Sequence, residues 1–180
     1  SGYAILALII EMVSGKTFAE FLEKKIFTPL GMENSIAFEN GISTIDNRAF
    51  GYAISDSGFV FSDQSLTSAV LGDGGIYSST MDLLKWDESI EKSTLLPKEK
   101  LSLAFQKIKL PDGKVVDYGF GWRLDPYKNF KRKYNTGSTC GFSNIYKNLP
   151  EFNLTVIVLI NIRDYDAKGY AEKIADLFIQ

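Results

Sequence analysis

The first residues of the chain form an apolar run that leaves no polar side for a surface helix. Residues 4–13 are Ala-Ile-Leu-Ala-Leu-Ile-Ile-Glu-Met-Val, in which Glu11 is the single charged side chain. The run is too short to span the ~30 Å hydrocarbon core of a bilayer, and no basic segment precedes it as in a signal peptide. A helix that is apolar on every side is normally buried on every side. We therefore expect covering layers from upstream of Ser1 and interpret the chain as the C-terminal portion of a longer protein.

Composition removes several kinds of site from consideration. The 180 residues include no histidine, which excludes a Ser-His-Asp or Cys-His catalytic group within this chain and removes the commonest zinc ligand. The single cysteine, Cys140, excludes an internal disulfide and a cysteine-rich metal site. A formal net charge of -2 gives no indication of a nucleic-acid partner. We expect neither a metal nor a cofactor.

The order of patterns along the chain predicts a single α+β unit. Residues 1–32 and 71–110 show helical periodicity, whereas residues 33–70 are weakly periodic and rich in Gly, Ser, Asn and Asp. Residues 115–180 have the alternation of antiparallel strands, followed by a terminal helical pattern. Helices that flank an antiparallel sheet are typical of the α+β class. We expect residues 33–70 to form a lid or wall of a site, because irregular segments of that length are otherwise uncommon.

Capping and turn signals place the individual elements. Thr17 and Glu20 form a capping box, and Pro29 and Gly31 end the helix that follows. Further helices are expected from Ser79 or Thr80 to Ile90, from Pro97 to Phe105, and from Ala167 to Ile179, the last with Tyr170, Ile174, Leu177 and Phe178 on one face. Strands are expected near residues 49–54, 58–61, 116–124, 131–136 and 142–147, and from Leu154 to Asn161. Turns are expected at residues 125–126, 137–141 and 149–153.

Five groups of residues, in this order, are similar to landmarks of one known family. They are the helices from Gly2 to Met32, Arg48-Ala49-Phe50-Gly51-Tyr52, the segment from Gly72 to Trp86, Tyr118-Gly119-Phe120-Gly121-Trp122, and the segment from Thr136 to Phe142. Together they resemble the penicillin-recognising serine hydrolases, the group of class C β-lactamases, DD-peptidases and related esterases. The resemblance extends from Gly2 to about Asn161 and implies the C-terminal strands and helices of a β-lactamase/transpeptidase-like fold.

The resemblance implies a mechanism of which this chain holds one part. A serine in a Ser-x-x-Lys motif attacks a carbonyl after a lysine and a tyrosine take its proton, because a neutral hydroxyl is a weak nucleophile. The one Ser-x-x-Lys match, Ser89 to Lys92, lies far from the family's position for that motif. The tyrosine motif would fall just before Ser1. We therefore expect no catalytic nucleophile or base in these residues and no activity from the chain alone.

The third part of that mechanism is a strand that binds the acyl group. By resemblance, Asn135, Thr136, Gly137 and Ser138 are the substrate-binding residues. Relatives have a lysine or a histidine where this chain has Asn135, and an amide donates hydrogen bonds but carries no charge. The basic residues 131–133 just upstream either supply the missing positive field or form a solvated basic hairpin.

Other prominent residues have structural interpretations. The glycine-rich turn at Gly72–Gly75 lacks the lysine and the strand–helix setting of a phosphate-binding loop, so it is expected to be a wall turn beside a pocket. Asp82 is expected to be a first-turn acid at a helix N-terminus. Trp86 and Trp122 are expected in the core, and Tyr118 either there or in a pocket wall. Cys140 has no neighbouring cation to depress its pKa and is expected to be a bystander.

Three functions remain open on these residues. The first is a serine hydrolase that acts on a β-lactam, a D-Ala-D-Ala peptide or a small ester or amide. The alternative is a non-catalytic module that binds peptidoglycan or another ligand on the same scaffold, and the absence of a cation at Asn135 favours it. The third is a scaffold whose remaining role is association. The apolar strand from Leu154 to Asn161 is a liability at a sheet edge, so we expect an upstream segment to cover it or the chain to self-associate. Relatives often work outside the cytoplasm, but these residues hold no targeting signal.

Overall fold

A computed structural model describes residues 2–39, 41–64 and 70–179. Its helices form two groups, one in the first third of the chain and one that follows the glycine-rich turn, with a last helix near the C-terminus. They are α1 (Gly2–Ser14), α2 (Phe18–Leu22), a π-helical turn (Glu23–Phe27), α3 (Thr28–Leu30), α4 (Thr80–Glu91), α5 (Lys98–Leu103) and α6 (Ala167–Asp176).

The strands form four small antiparallel sheets within the described residues. Three of these are two-stranded: β1 (Ile36–Ala37) pairs with β4 (Ile76–Tyr77), β2 (Tyr52–Ser55) with β3 (Gly58–Phe61), and β5 (Ile108–Lys109) with β6 (Val115–Val116). The fourth has the order β7 (Lys133–Thr139), β8 (Phe142–Leu149) and β9 (Leu154–Ile160). The α+β class predicted from the sequence is confirmed.

The three-stranded sheet carries the larger core. Ile145 and Leu149 of β8 face α6 and are buried against its alanines, Ala167, Ala171 and Ala175. These alanines lie four residues apart and form the stripe that contacts the sheet. The larger apolar residues of the predicted face point away from the sheet: Tyr170, Ile174, Leu177 and Phe178 are all exposed.

The first helices fold largely as their sequence predicts. Thr17 and Glu20 form the expected capping box, and Gly31 ends α3 in a left-handed conformation with φ 65°. Phe18 and Leu22 are buried in a second core with Ala7. Of the residues of α1, only Ala7 is buried, so the complete burial expected for this apolar helix is not found among the described residues. No helix in residues 2–39, 41–64 and 70–179 is long and apolar enough to cross a membrane.

The predicted strand over residues 116–124 is wrong. The chain leaves β6 after Val116 and folds into a tight turn that a bridge between Tyr118 and Arg123 closes. Two glycines explain the difference. A Cβ on Gly119 would lie 2.1 Å from the Ala104 carbonyl oxygen, and Gly121 has a φ of 82°, which a strand residue does not adopt.

The turn between β7 and β8 is shorter than expected. The two strands remain paired out to Thr139 and Phe142, so Cys140 and Gly141 alone make the connection. Gly137 and Ser138, expected in a turn, are therefore residues of β7. This extension places them on a rigid strand instead of in a loop.

Candidate functional site

A cleft of about 350 Å³ opens where β7 meets the start of α1 and two turns. Its wall is formed by side chains and backbone from four separate parts of the sequence. The lining residues are Tyr3, Gly72, Asp73, Tyr118, Gly121, Arg123, Asn135 and Thr136. The cleft thus brings together residues from four of the five landmark groups of the sequence.

Strand β7 presents the four predicted substrate-binding residues to solvent. Asn135, Thr136, Gly137 and Ser138 are consecutive and all are exposed. Asn135 and Thr136 line the cleft, and Gly137 and Ser138 continue along the strand beyond its lining. The four residues therefore form one continuous surface at an outer strand of the sheet.

The outer edge of β7 is open next to the cleft. Tyr134 makes both backbone hydrogen bonds with Arg123, at 2.8 and 3.1 Å, on the side of β7 away from β8. In an antiparallel strand the backbone groups alternate in direction, so those of Thr136 and Ser138 point to the same side as those of Tyr134. No described strand pairs with β7 beyond Tyr134 on that side. The edge therefore offers N–H donors and carbonyl acceptors to a ligand.

Asn135 is engaged within the protein. Its Nδ2 donates a hydrogen bond to the carbonyl of Gly121, across the cleft wall. The side chain that stands where relatives have a cation therefore holds the turn at residues 118–123 against β7. This arrangement accounts for an amide at the position, because the acceptor is a neutral carbonyl.

Neither interpretation of the basic residues 131–133 describes the structure. Lys131 is exposed, but Arg132 is buried and forms ion pairs with Asp125 and Glu172. Lys133 lies 4.4 Å from the centroid of the Phe105 ring, and its partial burial lowers its pKa. None of the three lines the cleft. Among the described residues that line the cleft, Arg123 is the cation.

Two tyrosines form the part of the cleft between α1 and the turn at residues 118–123. Burial is the main cause that raises the pKa of Tyr118, the neighbouring Tyr3 hydroxyl raises it further, and the Arg123 charge partly offsets both. The raised pKa keeps the Tyr118 phenol protonated at neutral pH, since an ordinary tyrosine pKa is about 10. Tyr118 can therefore donate a hydrogen bond to a ligand but does not act as a base.

The glycine-rich turn is a wall of the cleft, as predicted. Gly72 has a φ of 87°, and a Cβ there would lie 2.5 Å from the Tyr3 carbonyl oxygen and 2.7 Å from the Ala7 Cβ. Glycine is therefore required for the turn to approach α1 this closely. The contact fixes the position of Tyr3 relative to Gly72 and Asp73, which share the cleft with it.

Comparison with known proteins decides the family. The family model described as Beta-lactamase matches residues 1–178. The chain belongs to the β-lactamase family. Penicillin-binding protein 4* of Bacillus subtilis is 30% identical over 174 residues, which cover 89% of this chain and 38% of that protein. D-aminopeptidase of Gluconobacter oxydans is 27% identical over 162 residues, covering 88% of this chain and 30% of that one.

Solved structures of the β-lactamase family show the same architecture. The octameric penicillin-binding protein homologue from Pyrococcus abyssi superposes with a TM-score of 0.83 at 31% identity. The match covers 98% of this chain and 41% of that one. The chain therefore spans less than half the length of each of these three relatives.

The Ser-x-x-Lys match does not have the geometry of this family's nucleophile. The Ser89 hydroxyl is nearly buried and donates to the Trp86 carbonyl at 2.8 Å. Lys92 pairs with Glu88 at 2.7 Å. Both residues border a shallower depression of about 200 Å³, separate from the cleft at β7. The lysine is thus paired with a carboxylate instead of serving as a base for Ser89.

Sequence reasoning missed Arg123 and Tyr3 as residues of the site. Both lie within or next to landmarks of the β-lactamase family, at Gly2-Tyr3 and directly after Trp122. Adjacency to a landmark was the available signal. No local pattern in the sequence predicts the backbone hydrogen bonds between Arg123 and Tyr134, which bring the arginine to the edge of β7.

Proposed function

We propose that this chain supplies the acyl-binding part of a serine hydrolase that cleaves an amide, a β-lactam or an ester through a serine acyl-enzyme. The observation that carries the proposal is the open edge of β7, where Thr136 borders the cleft and Ser138 follows it. An extended substrate can align with such an edge through backbone hydrogen bonds. The nucleophilic serine and its base would come from residues outside this sequence.

The geometry supports a specific role for the backbone of Ser138. When the serine oxygen attacks the carbonyl carbon, the carbonyl π electrons move onto its oxygen, and an N–H aimed at that oxygen stabilises the charge. The Ser138 N–H points to the open edge by the strand alternation described above. Collapse of the intermediate breaks the bond from the carbonyl carbon to the leaving nitrogen or oxygen, which takes up the proton that the serine lost, and water then releases the acyl group from the serine.

The relatives support the choice of substrates. One is named a penicillin-binding protein and another a D-aminopeptidase. A D-alanyl peptide, a D-amino acid amide and a β-lactam share a carbonyl attached to nitrogen beside a defined stereocentre, so one acyl site can accept each of them. Thr136 and Ser138 would hold the carbonyl end, and Tyr3 and Tyr118, which line the cleft, would contact the side chain beyond it.

Labelling with a fluorescent penicillin tests the proposal on the longest product of the gene. We expect one covalent adduct on a serine outside these 180 residues and none on the 180-residue chain alone. Ser138→Pro removes the N–H at an open edge, where proline is tolerated, and is expected to slow acylation by about 10²- to 10³-fold. Ser138→Ala keeps the N–H and is the matched control. An adduct within residues 1–180, or equal rates for the two variants, would overturn the proposal.

A second candidate function is a non-catalytic binding module on the same scaffold. The observation that favours it is Asn135, whose side chain carries no charge and whose amide donates its hydrogen bond to the Gly121 carbonyl. In that case the full protein would bind a peptidoglycan fragment but form no adduct with penicillin. Calorimetry with such a fragment distinguishes this candidate from the hydrolase.

We also propose that the outer edge of β9 is covered in the intact assembly. The described residues leave that edge unpaired up to the bridge between Tyr52 and Ile162. A similar protein from Pyrococcus abyssi is described as octameric, which supports contact between copies as one means of cover. The other is a strand from outside these residues.

A further inference from the structure

We propose that Asp87 of α4 is a positioning residue for the cleft, and that it acts through Tyr146 and Trp122 on the turn at residues 118–123. This inference rests on the proposed function, since the substrate would lie between that turn and the open edge of β7. Asp87 is not among the residues that line the cleft, so it does not touch the substrate itself.

Asp87 and Tyr146 form a buried pair between α4 and β8. The Tyr146 hydroxyl donates a hydrogen bond to a carboxylate oxygen of Asp87, and both side chains are buried. Burial raises the pKa of Tyr146 and the hydrogen bond to Asp87 raises it further, which outweighs the opposite effect of the Thr155 hydroxyl. The phenol therefore remains a donor at neutral pH. Because a hydrogen bond to a carboxylate is strong, α4 fixes the orientation of the Tyr146 ring.

The Tyr146 ring in turn supports Trp122. The two rings meet edge to face, with their centroids 5.3 Å apart and their planes at 67°. Phe105, in the segment after α5, contacts the indole in a similar way at 5.5 Å and 64°. Edge-to-face pairs at these separations are favourable beyond the area that they bury. The indole of Trp122 therefore rests on a ring whose orientation Asp87 fixes.

The position of Trp122 determines where the wall of the cleft lies. Its neighbours in sequence, Gly121 and Arg123, both line the cleft. Asn135, the cross-strand partner of Tyr146, donates to the Gly121 carbonyl. Because cross-strand partners share one face of a sheet, Asn135 and Tyr146 hold adjacent residues of the turn from the same face. A shift of the Tyr146 ring would therefore move this wall relative to the open edge of β7.

Acylation of the full-length protein by a fluorescent penicillin tests this role. Asp87→Leu leaves the Tyr146 hydroxyl unpaired and is expected to slow acylation by about 10- to 100-fold, because a misplacement of about 1 Å has an effect of that size. Asp87→Asn keeps an acceptor oxygen and should restore most of the rate. Asp82→Asn is the matched control on the same helix. Its hydrogen bonds lead to Asn34 and Ser35, which do not line the cleft, so its acylation rate should equal that of the wild type.

A double variant separates positioning from stability. Asp87→Leu combined with Tyr146→Phe removes both polar partners, so no unpaired group stays buried and stability should recover relative to Asp87→Leu alone. The acylation rate should nevertheless remain as slow as in Asp87→Leu, because the ring is no longer fixed from α4. Recovery of the rate together with stability would show a structural role only and would overturn the inference.

A measurement without ligand separates this inference from the proposed function. In the full-length protein labelled with 5-fluorotryptophan, the fluorine resonance of Trp122 is assigned by its loss in Trp122→Phe. This resonance is expected to shift or broaden in Asp87→Leu and to stay as in the wild type in Asp82→Asn. If the wild type does not react with penicillin, the hydrolase proposal fails, but the resonance still decides whether Asp87 positions the turn. An unchanged Trp122 resonance in Asp87→Leu would overturn the inference.

Discussion

Asp82 shows how a single polar residue connects two parts of the chain. Its side chain is fully buried and accepts hydrogen bonds from the Asn34 N–H at 2.7 Å and the Ser35 hydroxyl at 2.9 Å. Lys85 adds an ion pair at 3.1 Å. The carboxylate therefore ties the first turn of α4 to the segment that follows α3, a role beyond the first-turn acid that the sequence predicts.

Asp82→Asn is expected to destabilise the protein by about 1–3 kcal/mol at pH 7, because buried donors lose a charged acceptor. Burial alone would raise the pKa of Asp82, but the hydrogen bonds from Lys85, Ser35 and Asn34 outweigh it and hold the pKa below its ordinary value. A lowered folded-state pKa contributes stability above the unfolded value of about 3.9 that is lost as pH falls through the folded value. The free energy of unfolding of the wild type should therefore approach that of the variant below pH ~4.

Urea unfolding between pH 3 and 7 measures this effect. Asp46→Asn is the matched control, since Asp46 is exposed and its replacement should change stability by less than about 0.5 kcal/mol. A difference in the free energy of unfolding between wild type and Asp82→Asn that stays constant down to pH 3 would contradict a stabilising role for the ionised Asp82 side chain.

At the level of residues, the sequence predicts which residues belong to the site better than it predicts which residues they contact. The strand position of Asn135 and Thr136, the wall turn at Gly72 and the place of Asp82 in the first turn of α4 follow from local patterns or from family resemblance. The hydrogen bond from Asn135 to Gly121 and the pairing of Arg123 with Tyr134 join segments about a dozen residues apart through a turn. That turn depends on the close approach of Gly119 to Ala104, which no periodicity encodes.

At the level of elements, two glycines hold the hairpin β2–β3 against the turn between β7 and β8. A Cβ on Gly141 would lie 2.2 Å from the Tyr52 nitrogen and 2.4 Å from the Ser62 carbonyl oxygen, all backbone that cannot rotate away. Gly51 lies on the other side of the same contact, and a Cβ on it would lie 2.9 Å from the Gly141 Cα. The contact therefore places the hairpin beside the end of the substrate strand.

Gly141→Ala is expected to destabilise the protein by about 1–3 kcal/mol, because the added methyl group separates the hairpin from the strand turn. Gly137→Ala is the matched control on the same strand pair. A Cβ there meets nothing closer than 3.8 Å, and Gly137 does not need a left-handed backbone, so its stability should be unchanged or slightly raised. Thermal unfolding of both variants makes the measurement, and equal midpoints would contradict the steric argument.

Elements whose patterns are local could be predicted and those defined by distant contacts could not. The capping box at Thr17, the N-terminus of α4 at Ser79 and strand β9 are confirmed, because their signals are periodic or capping patterns. The two-residue strands β1 and β4 went unpredicted, since a pair that short depends on contact between segments about forty residues apart.

At the scale of the whole molecule, apolar surface remains open on several elements. Along α1, Ile5 is 56% exposed, Met12 84% and Val13 83%, and Leu177 of the C-terminal segment is 75% exposed. Patches of this kind mark contact surfaces. The unpaired edge of β9 also exposes backbone hydrogen-bonding groups, and such an edge is a template for pairing with another strand.

The 180-residue chain is therefore expected to self-associate through β9, with strands of two copies pairing edge to edge. Leu159, 39% exposed on that strand, is a suitable position for a charge, because an edge lysine opposes strand pairing. Sedimentation velocity should show dimers or larger species for the wild type and a shift toward monomer for Leu159→Lys. Leu103→Lys introduces the same change on α5, where the side chain is 46% exposed, and should leave the distribution as in the wild type. A monodisperse wild-type monomer at high concentration would contradict the expectation. Association that persists in Leu159→Lys would indicate that the copies contact each other through the helices and not through β9.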